Sequence, residues 1–264
     1  MDTRPIGVFD SGIGGVTVLS EIQKLLPKEN LIYYADTARV PYGPRPQEEI
    51  KDFSLQAVDF LMKKNIKLLV IACNTVTAVA YDYIAKNVDI PVIGVIDPGV
   101  RAVMNAGEIK NLGLIATKAT VDSQAYQKRL SSLEKSIVVN AKACPMLVSI
   151  VEEGWADTEI SKLIVEKYLE ELKNDGIDAL ILACTHFPVL RNQIEDYLED
   201  IRIIDPARET ALELERVLIS RDLLNQSDQD GEVEFYVSDR AEKFKSIAMN
   251  LVDVDRVDEV EIGY

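Results

Sequence analysis

Leu69-Val70-Ile71-Ala72-Cys73-Asn74-Thr75 and Leu180-Ile181-Leu182-Ala183-Cys184-Thr185-His186 are two copies of one pattern, an apolar strand that ends in alanine and cysteine and continues into polar residues. The two cysteines lie 111 positions apart. Residues 6–10 and 112–116 repeat at a spacing of 106, and residues 95–98 and 203–206 at a spacing of 108. Elements that recur at nearly constant spacing predict two similar α/β halves, with one cysteine at an equivalent place in each.

Short apolar runs alternate with helical periodicity along the whole chain, which is typical of an α/β protein with mostly parallel strands. The helical spacing is clearest in residues 50–61 and 160–172, and we expect Asp157 and Gly176 to cap the start and the end of the second helix. Residues 225–232 are polar and predict a loop. Strands are predicted at residues 6–9, 31–35, 68–72, 92–95, 112–116, 137–141, 179–183 and 201–204, with edge strands at 234–237 and 259–262.

Composition and charge limit the classes of function. The chain has 264 residues, 47% of them hydrophobic, which is enough for a large core in one domain or two. It carries 29 Lys and Arg against 44 Asp and Glu, and the net charge of −15 predicts that it does not bind nucleic acid. No apolar run reaches the about 20 residues of a membrane span, and no signal sequence precedes the first strand. We therefore expect a cytoplasmic protein with no membrane partner.

Cys73 and Cys184 each follow a strand and precede a helical stretch, where open parallel sheets bind their ligands. A sulfur at a helix N-terminus meets unpaired N–H groups and the positive end of the helix dipole, which favours the thiolate. The polar residues after each cysteine predict a site for a small molecule that bears carboxylates. Cys144 precedes Pro145 without such a polar pair, and we expect it to be structural. An odd number of cysteines indicates free thiols rather than a disulfide framework.

Asp10-Ser11-Gly12-Ile13-Gly14-Gly15 forms the first strand-to-helix turn, where glycines let the backbone approach a ligand closely. The turn is not a dinucleotide fingerprint, because Thr17 replaces the last glycine and Asp10 would repel a pyrophosphate. Asp36 keeps a dinucleotide site open as an alternative, since it ends the second strand where a ribose-binding acid would lie.

His186, the only histidine, bears on two further alternatives. A Cys/His metal site would lack nearby ligands, since Cys73 and Cys144 lie far from it in the sequence, and we expect no metal. A nucleophilic pair of Cys184 and His186 would suit an acyl-transfer hydrolase, but residues two apart at a helix start do not face each other.

Four motifs, in their order and spacing, resemble the aspartate/glutamate racemase family. They are Phe9-Asp10-Ser11-Gly12, Asp36-Thr37-Ala38-Arg39-Val40-Pro41-Tyr42-Gly43, Ala72-Cys73-Asn74-Thr75 and Ala183-Cys184-Thr185-His186. Phe187 and Ala183 depart from the family pattern, in which tyrosine and glycine are usual, and neither change removes a reacting group. The resemblance spans nearly the whole chain and implies a cofactor-independent enzyme that interconverts L- and D-glutamate and supplies the D-isomer for bacterial peptidoglycan.

Inversion of a stereocentre by proton transfer needs a base on one face of the carbon and an acid on the other. The resemblance assigns these roles to Cys73 and Cys184. It has Asp10 assist Cys73, and His186 with Glu152 assist Cys184. It implies substrate contacts at Asp10, Ser11, Tyr42, Gly43, Asn74, Thr75, Thr185 and His186.

The family pattern further implies two similar discontinuous α/β domains, with mostly parallel sheets flanked by helices and the active site in the cleft between them. We expect residues 1–97 with 207–264 to form the first domain and residues 98–206 the second. The resemblance implies a homodimer, glutamate as the small-molecule partner, and no cofactor.

Two other functions compete with this interpretation. An aspartate racemase would share the paired cysteines and differ in the length of its pocket, which residue types alone do not settle. A cofactor-free binding or regulatory module would keep the cleft without the chemistry, and the intact Cys73 and Cys184 argue against it.

Overall fold

Strands and helices alternate along residues 2–262, the part of the chain that the computed structural model describes. The strands are β1 (Ile6–Asp10), β2 (Leu31–Ala35), β3 (Leu68–Ile71), β4 (Val92–Gly94), β5 (Asn111–Ala116), β6 (Val138–Ala143), β7 (Ala179–Ala183), β8 (Arg202–Ile204), β9 (Val233–Val237) and β10 (Val257–Glu259). The α-helices are α1 (Val16–Leu25), α2 (Gln47–Lys63), α3 (Asn74–Asn87), α4 (Ile96–Asn105), α5 (Lys118–Ser123), α6 (Ala125–Leu133), α7 (Pro145–Glu152), α8 (Glu159–Asn174), α9 (Arg191–Leu198), α10 (Ala207–Ser220) and α11 (Ala241–Ala248). A 3₁₀ helix, Phe187–Leu190, precedes α9.

The strands form two separate sheets in which every pairing is parallel. The first sheet has the order β10-β9-β2-β1-β3-β4, and the second has the order β6-β5-β7-β8. The order β2-β1-β3-β4 therefore recurs as β6-β5-β7-β8. This topology confirms the two similar α/β halves and the mostly parallel sheets predicted from the sequence repeat.

Helices cover both faces of the first sheet, which explains why its central strands are buried throughout. All five residues of β1 and of β2 are buried, as parallel strands between two helical layers require. α2 packs against α3 on one face, and α1 packs against α10 on the other. In the second half, α7 and α8 pack together and α8 contacts β6.

Two details of the helix and strand limits were predicted wrongly. The side chain of Thr158, not that of Asp157, caps α8, because Thr158 and Ser161 form a reciprocal capping box. Asp157 instead accepts a hydrogen bond of 3.2 Å from Gln193. β10 pairs with β9 at Val257–Glu259, earlier in the chain than the predicted residues 259–262. Gly176 follows α8 with φ of +66°, in the left-handed region that glycine adopts without strain, as predicted.

The division of the chain into domains of residues 1–97 with 207–264 and residues 98–206 stays a prediction. Residue 97 falls inside α4, which contacts α6 and β7 of the second half as well as α10. Residues 1, 263 and 264 lie outside the described part of the chain.

Candidate active site

The two sheets bring their chemistry-bearing residues to equivalent places. In the order β2-β1-β3-β4, the strands β2 and β3 lie on opposite sides of β1. Open parallel sheets bind their ligands at the carboxyl ends of the strands at such a place. Asp10 ends β1 and Cys73 follows β3. Thr117 follows β5 and Cys184 follows β7 in the second half. Hydrogen bonds across the cleft join the strand ends of the first half, near Asp10 and Cys73, to those of the second half, near Thr117 and Cys184.

Cys73 lies at the N-cap of α3 with 5% of its surface exposed. Its Sγ lies 3.6 Å from Oγ of Ser11 and accepts the backbone N–H of Val76 in the first turn of the helix. The predicted environment at a helix N-terminus is therefore present.

The predicted preference of Cys73 for the thiolate is wrong for this closed arrangement. Burial, together with the negative charge of the neighbouring Asp10, raises the pKa of Cys73 to about 12. Hydrogen bonding with the backbone of Val76 and with the side chain of Ser11 lowers the pKa, but these are the smaller effects. The sequence pattern locates the helix N-terminus but contains no information about how completely the thiol is buried.

Asp10 is fully buried beneath the turn that follows β1. Its Oδ2 accepts the backbone N–H of Gly12 at 3.0 Å, and its Oδ1 accepts the hydroxyl of Thr185 from the second half at 3.2 Å. Burial raises the pKa of Asp10 to about 6, while the charge of His186 opposes the rise. Asp10 therefore changes its charge close to neutral pH.

Cys184, His186 and Glu152 form a chain of contacts in the second half. Sγ of Cys184 lies 3.7 Å from Nδ1 of His186, and Nε2 of His186 lies 2.6 Å from Oε1 of Glu152. Burial disfavours the imidazolium, but the hydrogen bonds to Cys184 and Glu152 outweigh it and hold the pKa of His186 well above its usual range. The same pairing keeps the pKa of Glu152 low despite its burial. A cation is therefore held against the second thiol.

The expectation that Cys184 and His186 do not face each other is wrong. Residues two apart diverge on an α-helix, but the backbone after β7 turns into a 3₁₀ helix that begins only at Phe187. His186 is its N-cap, and its ring folds back toward the sulfur.

The turn after β1 fits against the second half because it contains glycines. A Cβ on Gly14 would lie 2.5 Å from Oγ1 of Thr185 and 2.7 Å from the backbone N of His186. A Cβ on Gly12 would overlap the carboxylate of Glu152. These close approaches allow Ile13 N–H to donate to Glu152 Oε1 at 3.0 Å, so Glu152 binds both His186 and the opposite half.

Asn74 and Thr75, the first two residues of α3, are held from the second half. Oγ1 of Thr75 lies 2.8 Å from Oγ1 of Thr117, and Oδ1 of Asn74 accepts the hydroxyl of Tyr126 at 2.7 Å. Both side chains are buried. The cleft is closed in this structure, since the cavity beside Cys184 measures about 10 Å³, room for one water molecule. The two halves must separate to admit a larger molecule.

Tyr42 and Gly43 contribute in different ways. The hydroxyl of the buried Tyr42 donates to Asp36, so the ring and the backbone, rather than the phenol, are left to face a ligand. Gly43 abuts the side chain of Thr117, where a Cβ would lie 2.7 Å away.

Asp36 is also paired with Arg39 at 2.7 Å and with Ser238 at 2.8 Å. These bonds use the carboxylate and argue against the ribose-binding role of a dinucleotide site.

Cys144 is the N-cap of α7 and is fully buried. It follows β6, which corresponds to β2, so its counterpart in the first half is Asp36 rather than a cysteine. Its Sγ lies 3.7 Å from the carbonyl oxygen of Lys142. All three cysteines are free thiols.

Three residues of the site were missed from the sequence, namely Thr17, Thr117 and Tyr126. The hydroxyl of Thr17 donates to the carbonyl oxygens of Gly14 and, at 3.3 Å, of Thr185. Thr117 could have been found, because the spacing of 106 between β1 and β5 makes it the counterpart of Ser11. Tyr126 gives no such signal, since it is the second residue of a helix with ordinary amphipathic spacing.

Residues 2–262 lack a cluster of metal ligands and a membrane-spanning helix. They contain no group of three or more His, Cys, Asp and Glu side chains placed to hold a metal ion. None of their helices combines the length and the hydropathy that crossing a bilayer requires.

A sequence model of the Asp/Glu/hydantoin racemases matches residues 6–214 of the chain. The chain belongs to this family. The family predicted from the four motifs and the prediction of an amino-acid racemase are thereby confirmed.

Relatives that are similar over their full length strengthen this assignment. The glutamate racemase of Neisseria meningitidis serogroup C is 43% identical over 263 residues, which cover 98% of this chain and 97% of the relative. The crystal structure of the glutamate racemase of Francisella tularensis in complex with D-glutamate shares 37% identity, with a TM-score of 0.92 over 99% of both chains. A glutamate racemase of Bacillus anthracis shares 39% identity, with a TM-score of 0.94 over 99% of both chains.

Proposed function

We propose that this racemase interconverts L- and D-glutamate without a cofactor, using Cys73 and Cys184 as two bases on opposite faces of the substrate α-carbon. The observation that carries the proposal is the equivalent position of the two thiols. Each follows the third strand of a β2-β1-β3-β4 unit, and the carboxyl ends of the two units face each other across one cleft.

The proton balance of the proposed reaction is simple. One cysteine, as the thiolate, takes the α-proton, so the C–H bond breaks and an S–H bond forms. The opposite cysteine, as the thiol, gives its proton to the other face of the carbon and becomes a thiolate. The product is the enantiomer, and the two cysteines have exchanged protonation states, ready for the reverse direction.

The surrounding charges support different roles for the two thiols. His186, held as a cation by Glu152, places its positive charge against the sulfur of Cys184. Cys73 has the carboxylate of Asp10 beside it, which opposes ionisation. A substrate ammonium paired with Asp10 would neutralise that repulsion, so substrate binding itself would prepare Cys73 to act as the base.

Hydrogen-bond donors account for the stabilisation of the developing carbanion. The side chains of Ser11, Asn74, Thr75 and Thr185 are buried around the two cysteines, on rigid strand ends and helix starts. Donors to the α-carboxylate strengthen as negative charge moves onto it, and in a closed cleft they act without competition from water.

Glutamate is preferred to aspartate in the proposal because the relatives that are similar over their full length are glutamate racemases, one with D-glutamate bound. The experiment compares turnover of L-glutamate and L-aspartate by metal-free and pyridoxal-free protein, with a chiral readout. We expect glutamate to be the better substrate by kcat/KM. Faster turnover of aspartate would overturn the substrate assignment and leave the two-cysteine chemistry intact.

We further propose that the enzyme works in the bacterial cytoplasm as a homodimer and supplies D-glutamate for peptidoglycan. Expression in a bacterium that cannot grow without added D-glutamate tests the supply role, and growth on unsupplemented medium is the expected result. Light scattering of the purified protein tests the homodimer, which predicts twice the mass of the chain. A monomeric mass or failure to restore growth would contradict the corresponding part.

A further inference from the structure

Tyr126 and Asn74 form a buried hydrogen bond between the two halves. The hydroxyl of Tyr126, on α6 of the second half, lies 2.7 Å from Oδ1 of Asn74, at the start of α3 in the first half. The exposed fraction is 1% for Tyr126 and 4% for Asn74. A bond so far from water is not exchanged for solvent contacts, so it fixes both side chains.

The direction of this bond follows from the surroundings of the phenol. The hydroxyl lies against α4, where a Cβ on Gly99 would come within 2.7 Å of the oxygen, and Asn74 is its one hydrogen-bond partner among residues 2–262. Burial raises the pKa of Tyr126 well above its usual range, and Asp205 and Cys184 add to the rise. The phenol therefore keeps its proton and donates it to the amide oxygen of Asn74.

The amide nitrogen of Asn74 is then free for another partner. It makes no hydrogen bond to any of the residues that the structure describes, although its oxygen is bonded. Asn74 directly follows Cys73 in the chain and lines the small cavity beside Cys184 and Thr185. An NH₂ group beside Cys184 is suited to a carboxylate of the bound substrate.

We propose that Tyr126 is a positioning residue for the racemase reaction: it holds the amide oxygen of Asn74 so that the amide nitrogen donates to a substrate carboxylate. The inference rests on the proposed function. Because the bond joins the two halves, it also makes the orientation of Asn74 depend on closure of the cleft. Without the phenol, the amide can rotate and the donor is no longer presented in one direction.

The test is Tyr126→Phe, which removes one oxygen atom. KM for glutamate should rise about tenfold, because a hydrogen bond to a charged substrate group is weakened in the ground state as well as in the transition state. Tyr81→Phe is the matched control. Tyr81 lies on α3, and its hydroxyl donates to the backbone oxygen of Val92 at 3.0 Å, away from the cysteines. Its loss should leave KM unchanged.

A double-mutant cycle separates positioning from a general effect on the fold. If Tyr126 acts through Asn74, Tyr126→Phe has no further effect on kcat/KM once Asn74→Ala is present. Exchange of the substrate α-proton in D₂O measures the slow variants. Gly99→Ala is a second route to the same perturbation, because its methyl group displaces the phenol from the position it now holds.

The outcomes are distinct. A raised KM in Tyr126→Phe and Gly99→Ala that disappears in the Asn74→Ala background supports the proposal. A KM equal to that of the wild type, or effects of Tyr126→Phe and Asn74→Ala that multiply, overturns it while the proposed function stands. A wild-type protein that does not racemise glutamate rejects the proposed function itself.

Discussion

Glu152 holds His186 through a hydrogen bond of 2.6 Å between Oε1 and Nε2, and this bond directs Nδ1 of the ring toward Cys184 at 3.7 Å. The same carboxylate oxygen accepts Ile13 N–H from the other half at 3.0 Å. The carboxylate of Glu152 therefore keeps the imidazolium of His186 beside Cys184, and it also makes a hydrogen bond that exists only when the cleft is closed. The charge that supports Cys184 is in this way coupled to the closed arrangement.

Replacing Glu152 with Gln should reduce activity increasingly as the pH rises. In the wild type the pKa of His186 lies well above its ordinary value, so the imidazolium persists above the pH at which a free histidine loses its proton. Without the carboxylate the pKa of His186 falls, because burial then has less to oppose it, and the ring loses its charge at a lower pH. At pH 8 we expect a loss of kcat/KM of about tenfold or more, since each pKa unit is a tenfold change in population.

The control for this measurement is Glu153→Gln. Glu153 is the next residue and pairs with Lys243 at 2.9 Å on the surface. It should behave as the wild type from pH 6 to 9. A deficit in Glu152→Gln that is the same at pH 6 and pH 8 would contradict the assigned role of His186.

Substitutions of Cys73 and of Cys184 should differ sharply in effect from substitution of Cys144. We expect Cys73→Ser and Cys184→Ser each to lower racemisation by about 10³-fold or more, because a serine hydroxyl is a far weaker acid and base at neutral pH. Cys144→Ser should leave it largely intact. Steady-state rates with both enantiomers, together with thermal unfolding of each variant, provide the check. Full activity in either of the first two variants would end the two-base account.

Asp10 should produce the acidic limb of the pH profile. Its pKa is raised to about 6 by burial, and the proposed contact with the substrate ammonium needs the carboxylate form. kcat/KM, which reports the free enzyme, should therefore fall about tenfold per unit as the pH drops below 6. The carboxylates of glutamate remain ionised until about pH 4.3, so they do not produce this limb.

The limb should vanish in Asp10→Asn, whose side chain does not titrate. A limb centred near pH 4, or one that survives this substitution, would show that Asp10 is not the group responsible.

Gly14→Ala should impair closure of the cleft rather than folding. The added methyl group would meet Thr185 and His186 of the opposite half, and Gly14 has no positive φ that would strain alanine. Misplacement of reacting groups by about 1 Å can cost about 10²-fold, so kcat/KM should fall by about that factor. The unfolding temperature should change little. Wild-type activity in this variant would mean that the close contact is not needed for the reaction.

The sequence was sufficient for the fold because the signals are local and repeated. Buried parallel strands are continuous apolar runs, and the repeat around Cys73 and Cys184 indicated two units before any topology was known. The predicted start of α8 was wrong because neighbouring residues compete to cap the helix. Thr158 caps α8 instead of Asp157 because Ser161 completes a reciprocal pair with it.

The site was predictable only where a residue lies beside its own strand. Asp10, Ser11, Asn74 and Thr185 lie at the ends of strands or shortly after them, so topology brings them together. Contacts made across the cleft leave no pattern in the chain, and the bond from Tyr126 to Asn74 spans 52 positions. The high pKa of Cys73 was also not foreseeable, because it depends on complete burial and on the charge of Asp10.

The most direct test of the two-cysteine account is the fate of the α-proton when L-glutamate is converted in D₂O and both enantiomers are isolated at low conversion. With a separate base on each face, the acid that protonates the carbon has exchanged with solvent. The account therefore predicts D-glutamate that carries deuterium and unreacted L-glutamate that keeps its original proton. D-glutamate that retains the substrate proton, or deuterium equally present in both enantiomers from the start, would indicate a single base and contradict the account.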